Sequence, residues 1–152
     1  MAEEKSYRNV DIVPLIIRIG LGVVFIYHGY GKVFSGGHEG IAQLMAAKGA
    51  PFPPLLGWLA GLTEFFGGML VLVGLLSRFW ALGLGFVMVV AILTVHGPNG
   101  FDIRQSGYEY CFTLLLMSLS IFLGGPGAFS VDKLLFGRTR RRSGRPELRL
   151  KL

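Results

Sequence analysis

The sequence is poor in charged residues and in cysteine, and each shortage excludes a class of protein. Only 16% of the 152 residues are charged, against 52% that are hydrophobic, so the composition does not fit a water-soluble monomer. The single cysteine, Cys111, excludes an intramolecular disulfide and is explained by packing in an apolar stretch. Phosphate-binding glycine loops, paired cysteines and a nucleophile-elbow serine are also missing, so common soluble enzyme classes lack their motifs here.

What the chain has instead is four long apolar blocks, at residues 11–33, 55–76, 79–95 and 108–123. A helix needs about 20 mostly apolar residues to cross a bilayer, and the last two blocks are near the short limit of about 17. The blocks lack the alternation of barrel strands, and open strands would leave backbone groups unpaired in lipid. The sequence therefore predicts an all-α fold, a four-helix transmembrane bundle within residues 1–136.

Glycine and proline clusters separate the blocks and mark the connections between them. In the first connection, Ile41, Leu44 and Met45 have a spacing that suits a short helix lying on the membrane interface, with a plain loop as the alternative. Glu3 and Glu4 are atypical of a cleavable signal peptide, and the first block is too long for one. We therefore expect the first block to be retained as a spanning helix.

Basic residues are unevenly divided between the two sides that the blocks define. Of the 15 Lys and Arg, only Lys32, Lys48 and Arg104 lie on one side, and Arg18 is inside the first block. The positive-inside rule then places both chain ends in the cytoplasm and the two longer loops outside. The expected location is the cytoplasmic membrane, crossed several times. The other eleven are Lys5, Arg8, Arg78, Lys133, Arg138, Arg140, Arg141, Arg142, Arg145, Arg149 and Lys151.

The last segment, residues 137–152, holds seven of these basic residues against one acid, Glu147. This composition predicts a disordered cytoplasmic tail, attracted to anionic lipid headgroups by about 1 kcal/mol per nearby basic residue. Nucleic acid is not expected as a partner, because topology explains the positive charge and no aromatic residues interleave with the arginines.

Charged residues inside the apolar blocks are costly in lipid and usually face the bundle interior. Arg18 and Lys32 share one face of the first helix, and Glu64 shares a face of the second helix with several glycines. Small residues mark close helix contacts in membranes, so both faces should meet other helices. Helical side chains lean toward their own N-terminus, and in antiparallel helices this lean makes Lys32 and Glu64 converge.

Three more ionisable residues are expected at the same outer level. His28 lies one turn below Lys32, His96 ends the third block, and Glu109 begins the fourth. Together with Lys32 and Glu64, they predict an outward-facing polar cluster whose members are candidates for binding a ligand.

The alternative is a structural network in which Lys32, Glu64 and Glu109 fix the helix register. In that interpretation Arg18 snorkels to the cytoplasmic interface, and Arg78 is likewise a structural or interfacial charge. No His-x-x-x-His or similar ligand spacing is present, so the sequence predicts no metal site and identifies no catalytic residue.

Several short motifs surround these charged residues. They are Arg18-Ile19-Gly20-Leu21-Gly22, His28-Gly29-Tyr30-Gly31-Lys32, Gly49-Ala50-Pro51-Phe52-Pro53, Glu64-Phe65-Phe66-Gly67-Gly68 with Gly74 and Arg78, Glu109, and Gly125-Pro126-Gly127 before Ser130-Val131-Asp132. The pattern covers nearly the whole chain and resembles the DoxX family of small bacterial membrane proteins. The resemblance implies a four-helix bundle in the bacterial cytoplasmic membrane, with Arg18, Lys32, Glu64 and Glu109 as family positions.

Relatives in that family include the small membrane subunit of a thiosulfate:quinone oxidoreductase. The resemblance therefore implies a membrane subunit of an oxidoreductase system that binds a quinone or a small sulfur anion. The sequence has no haem, flavin or iron–sulfur motif, so redox chemistry would need a quinone or a partner. The partners to be considered are an oxidoreductase protein and a second copy of the chain in a homo-oligomer. Two alternatives stay open: a non-enzymatic scaffold or stress protein that recruits a soluble partner, and a small carrier.

Overall fold

The computed structural model describes residues 2–136, with side chains from residue 12 onward, and every regular element in that part of the chain is helical. The α-helices are α1 (Ala2–Phe34), α2 (Gly37–Ala47), α3 (Pro53–Val73), α4 (Ser77–Ala91), α5 (Glu109–Gly124) and α6 (Val131–Phe136). The prediction of an all-α fold is confirmed for these residues.

Helices occupy all four predicted apolar blocks, and α2 decides the helix-or-loop alternative in the first connection in favour of a helix. Two features were not predicted: α6, and a π-helical turn at Ile92–His96 that continues α4. The predicted basic tail at residues 137–152 lies outside the described residues.

The outer surface of the helices is apolar, as expected for a chain surrounded by lipid. Among the described residues, three segments are long and apolar enough to cross a membrane, namely Ile12–Phe34, Pro53–Val73 and Ser77–Asn99, while Glu109–Gly124 is a shorter apolar helix. Many large hydrophobic side chains point outward along these segments, including Leu93 and Phe86. So many exposed large apolar side chains are unusual for a soluble monomer.

The helices pack as two main pairs, α1 with α3 and α4 with α5, and α2 lies against α3. The interior between them is a small apolar core that takes residues from α1, α3, α4 and α5. Its buried members are Leu21, Phe25, Val71, Leu84, Met88, Cys111 and Leu114. The ionisable residues described next lie at the two ends of this core.

Candidate functional site

Glycines allow α1 and α3 to approach closely at the end of the helices that holds Lys32. A Cβ atom on Gly29 would overlap the backbone of Phe65, and one on Gly61 would lie 3.0 Å from the Cβ of Lys32. Gly29 therefore has no room for a side chain, and at Gly61 the neighbouring atoms would have to shift. The close approach is the kind that small residues permit between helices in membranes, and it brings the Lys32 side chain onto the face of α3.

The Lys32 Nζ atom forms an ion pair with Oε2 of Glu64. The convergence expected from the lean of the two side chains is thus present. The Glu64 side chain is only 2% exposed, whereas that of Lys32 is 21% exposed. A buried carboxylate is strongly unfavourable without a partner, so Lys32 is the group that allows Glu64 to be charged in the interior.

The two members of the pair differ in what they can still bind. An ammonium has three N–H donors, and Glu64 takes one of them. The Lys32 side chain keeps part of its surface open, and Glu64 does not use its other two donors. Glu64 is a buried acid held beside that donor, which is an arrangement that can exchange a proton with a bound group.

A histidine that sequence reasoning did not select, His38, lies against the same site. Its Nδ1 is 2.8 Å from the backbone carbonyl oxygen of Lys32, and its ring stacks on Trp58 with centroids 4.0 Å apart. A carbonyl only accepts hydrogen bonds, so Nδ1 carries the proton. His38 is three residues before Ile41 on the apolar face of α2, and that spacing could have identified it.

Cys111 lies on α5, and its side chain is buried in the core cluster with Leu114. The interpretation of Cys111 as packing volume accounts for this burial.

The other candidates of the predicted outer cluster hold other contacts. His28 is exposed, with its ring 6.2 Å from that of Tyr110, and Nδ1 of His96 lies 2.7 Å from the carbonyl oxygen of Ser106. A carboxylate oxygen of Glu109 accepts a hydrogen bond of 3.2 Å from the backbone N–H of Ile103. Within residues 12–136, none of the three forms a hydrogen bond or ion pair with Lys32 or Glu64.

The structure thus brings together two of the five candidates and leaves His96 and Glu109 as supports of the loop before α5. Across the side chains that are described, no three His, Cys, Asp or Glu residues come together as a metal ion would require.

Arg18 lies midway along α1, where α1 meets the end of α3 at the opposite end of the bundle, and is almost completely buried, at 1% exposure. Its guanidinium donates four hydrogen bonds of 2.7–2.8 Å to backbone carbonyl groups. One interpretation of the sequence expected Arg18 to snorkel to the cytoplasmic interface. Its burial contradicts that expectation. Arg18 instead joins α1 to the end of α3 and to the loop after α5. The acceptors belong to Val71, Leu72, Pro126 and Phe129.

Asp132 and Arg78 complete the contacts at the Arg18 end. The Asp132 carboxylate accepts hydrogen bonds from the backbone N–H groups of Leu76 and Ser77 and from the Ser77 hydroxyl, so it caps the start of α4. Arg78 donates a 3.1 Å hydrogen bond from Nη1 to the carbonyl oxygen of Phe122 at the end of α5.

An apolar cavity of about 400 Å³ lies among α2, α3 and α4. Neither Lys32 nor Glu64 lines it, but Ala60 and Thr63 do, and they are neighbours of Glu64 along α3. The lining residues are Ile41, Met45, Leu56, Leu59, Ala60, Thr63, Gly83, Phe86, Val87 and Val90. Its size falls within the range of about 300–1,000 Å³ that is usual for small-molecule sites.

The sequence model of the DoxX family matches residues 13–97 of the chain. The inner membrane protein YqjF of Escherichia coli is 35% identical over 82% of this chain and 93% of its own length. The protein named "Putative oxidoreductase CatD" of Bacillus subtilis is 28% identical over 85% and 91%, respectively. The inner membrane protein YphA of Escherichia coli is 29% identical over 80% and 89%. No solved structure matches the chain.

Proposed function

Because the chain belongs to the DoxX family of membrane proteins, we propose that it is a membrane subunit of an oxidoreductase system that binds a quinone headgroup at Lys32 and Glu64. The proposed subunit is a four-helix bundle in the bacterial inner membrane with both termini in the cytoplasm. The names of YqjF and YphA support the location in the inner membrane. The word oxidoreductase in the name of CatD supports a role in an oxidoreductase system.

The observation that carries the proposal is the unequal burial of the ion pair. Lys32 is 21% exposed and retains donors, whereas Glu64 is 2% exposed and has its charge offset by Lys32. A partly open cation beside a buried acid can donate a hydrogen bond to an incoming carbonyl oxygen and supply or accept a proton.

The chemistry of the pair favours a quinone over a small sulfur anion. A second anion beside Lys32 would lie close to the Glu64 carboxylate, and like charges in a low-dielectric site repel strongly. A quinone is neutral, and its carbonyl oxygens only accept hydrogen bonds, so Lys32 can bind one without displacing Glu64. When bound, a quinone supplies the capacity to take up two electrons and two protons, and the electrons would come from a partner protein.

The apolar cavity beside α3 supports a ligand with a long hydrocarbon tail. Ala60 lines that cavity and is four residues before Glu64, and side chains four residues apart on a helix are neighbours. A headgroup at Lys32 would therefore lie close to an apolar space of about 400 Å³. Isoprenoid quinones have such a tail, whereas sulfur anions do not.

Retention of quinone by the purified protein tests the proposal. The full-length protein would be extracted with organic solvent after detergent purification, and quinone would be measured by mass spectrometry. We expect quinone with the wild type and with the control Lys48→Met, whose lysine is exposed at the end of α2, and a loss with Lys32→Met. Equal quinone in both variants would refute the site, and thermal stabilisation by thiosulfate but not by quinone would favour the anion.

The proposed topology has its own test in intact cells. Single cysteines at Ala46 and Gly100, in a Cys111→Ser background, are expected to react with membrane-impermeant thiol reagents, because both positions lie on the proposed outer side. A cysteine at Ser143 is expected to be protected. Labelling at Ser143 with protection at Ala46 would invert the orientation, and protection of only one outer position would rule out four spans.

A further inference from the structure

A second candidate site lies at the opposite end of the molecule, where α4 begins and α5 ends. A cavity of about 500 Å³ is lined there by Arg78, Lys133 and the glycine-rich turn after α5. A second cavity, of about 380 Å³, is lined by Leu76 and Phe79 and shares Arg78 and Phe136 with the first. Arg78 and Asp132 line both spaces, while Lys133 adds a second cation to the first and Leu76 and Phe79 add apolar surface to the second.

Two basic side chains beside the first cavity, Arg78 and Lys133, have N–H donors that can bind a ligand. Arg78 is exposed, and among residues 12–136 its one hydrogen bond is from Nη1 to Phe122, although a guanidinium has five N–H donors. Lys133 is exposed as well. The acid on the cavity wall, Asp132, is already bound: its two carboxylate oxygens accept three hydrogen bonds from Leu76 and Ser77.

The glycine-rich turn also lines this cavity. The carbonyl oxygen of Pro126 accepts a 2.8 Å hydrogen bond from Arg18, which holds the turn in place. Gly127 lines the cavity, and its positive φ of 79° is a conformation that favours glycine. The charged N–H donors of Arg78 and Lys133 suit a phosphate group.

We propose that this double cavity binds an anionic phospholipid, with the headgroup phosphate at Arg78 and Lys133 and an acyl chain against Leu76, Phe79 and Phe136. Free phosphate shares the headgroup chemistry, but it has no use for the adjoining apolar space. Basic pockets at the end of membrane helices are a recognised way to hold anionic lipids. The proposal does not rest on quinone binding, since the two sites lie at opposite ends of the bundle.

The test is lipid-dependent thermal stability of the full-length protein in neutral detergent, titrated with phosphatidylglycerol, phosphatidylcholine or inorganic phosphate. Phosphatidylglycerol is expected to raise the melting temperature with saturation, because a ligand that binds the folded state stabilises it. Arg78→Gln removes a charge-assisted hydrogen bond and should weaken the apparent affinity about ten- to hundredfold. Lys133→Gln should weaken it about fivefold.

The matched control is Arg104→Gln, which removes an arginine that is 89% exposed in the loop before α5 and leaves residues 137–152 unchanged. Its phosphatidylglycerol affinity is expected to equal that of the wild type. Equal stabilisation by phosphatidylcholine would overturn recognition of the anionic headgroup, and equal stabilisation by inorganic phosphate would overturn the lipid. If Arg78→Gln does not fold, an unchanged affinity in Lys133→Gln overturns the proposal.

Discussion

The two ends of the helix bundle each hold a cation of α1 inside the protein, and the contrast between them separates architecture from function. Arg18 and Lys32 are 14 residues apart (32 − 18), which is about 21 Å along the helix axis. Arg18 is 1% exposed and donates four hydrogen bonds to backbone carbonyl groups. Lys32 remains partly open and is paired with one acid, Glu64. A cation whose donors are nearly all used has little left for a ligand.

Arg18 and Lys32 differ in the kind of group that they contact as much as in the number of contacts. Backbone carbonyl groups carry no proton that can leave, so the contacts of Arg18 hold in every protonation state of the protein. The Glu64 carboxylate can accept a proton, so its ion pair with Lys32 can change when a proton is gained or lost. The comparison assigns Arg18 to the stability of the helix assembly and Lys32 to the chemistry that we propose.

Replacing Arg18 is expected to give the largest effect on folding. Arg18→Gln would leave at least two of the four carbonyl groups, which are buried or partly buried, without a donor, at up to about 1–3 kcal/mol for each unpaired group. The measurement is the fraction of monodisperse protein that survives heating in detergent, which should fall sharply. Arg104→Gln is the exposed-arginine control, and wild-type stability in Arg18→Gln would remove the contrast between the two ends.

Glu64→Gln tests the Lys32 end and should separate stability from ligand binding. If the acid is functional, the variant expresses and melts nearly as the wild type does but loses quinone, because Lys32 can rehydrate at the open edge of the site. If the pair is architectural, removing one partner costs about 3–5 kcal/mol.

The double variant with Lys32→Met decides between these outcomes. Restoration of both stability and quinone binding would show that the charges serve architecture and that the proposed site is wrong. A stable double variant without quinone would support the site.

A substitution at Gly29 is expected to have an intermediate effect, because it disturbs the contact that positions Lys32. The Cβ atom of Gly29→Ala would collide with the Phe65 backbone and push α1 away from α3, at about 1–3 kcal/mol. Gly31→Ala is a close control, since nothing lies within 4 Å of a Cβ atom there. The measurement is the melting temperature of the two variants, determined side by side. Equal stability would contradict the close helix contact.

The sequence predicted the Lys32 end better than the Arg18 end, for a physical reason. Lys32 and Glu64 lie on regular helices, so spacing and side-chain lean were enough to predict that they meet. Arg18 finds two of its acceptors, Pro126 and Phe129, in an irregular turn more than 100 residues away, and no periodic pattern reports such contacts. His38 was missed because it was treated as part of a connection and was not placed on the apolar face of α2.

Replacing His38 is expected to give the smallest change in stability, and the most local one, at α2. The stack on Trp58 and the hydrogen bond to the Lys32 carbonyl fasten the start of α2 beside the ion pair. His38→Ala removes both contacts, at about 1 kcal/mol for the hydrogen bond, and should speed hydrogen exchange of the α2 amides. His38→Phe keeps an aromatic ring for the stack but has no N–H group, so it should restore only part of the protection.

The matched control for His38 is His28→Ala, because His28 is exposed and makes no contact with α2 among those described. It should leave the exchange of the α2 amides unchanged. If α2 has wild-type protection in His38→Ala, the contacts of His38 do not hold this helix. If His38→Phe protects as fully as histidine does, the stack alone fastens α2 and the hydrogen bond to Lys32 contributes nothing. Partial protection in His38→Phe would show that the hydrogen bond ties α2 to Lys32, the residue that carries the proposed chemistry.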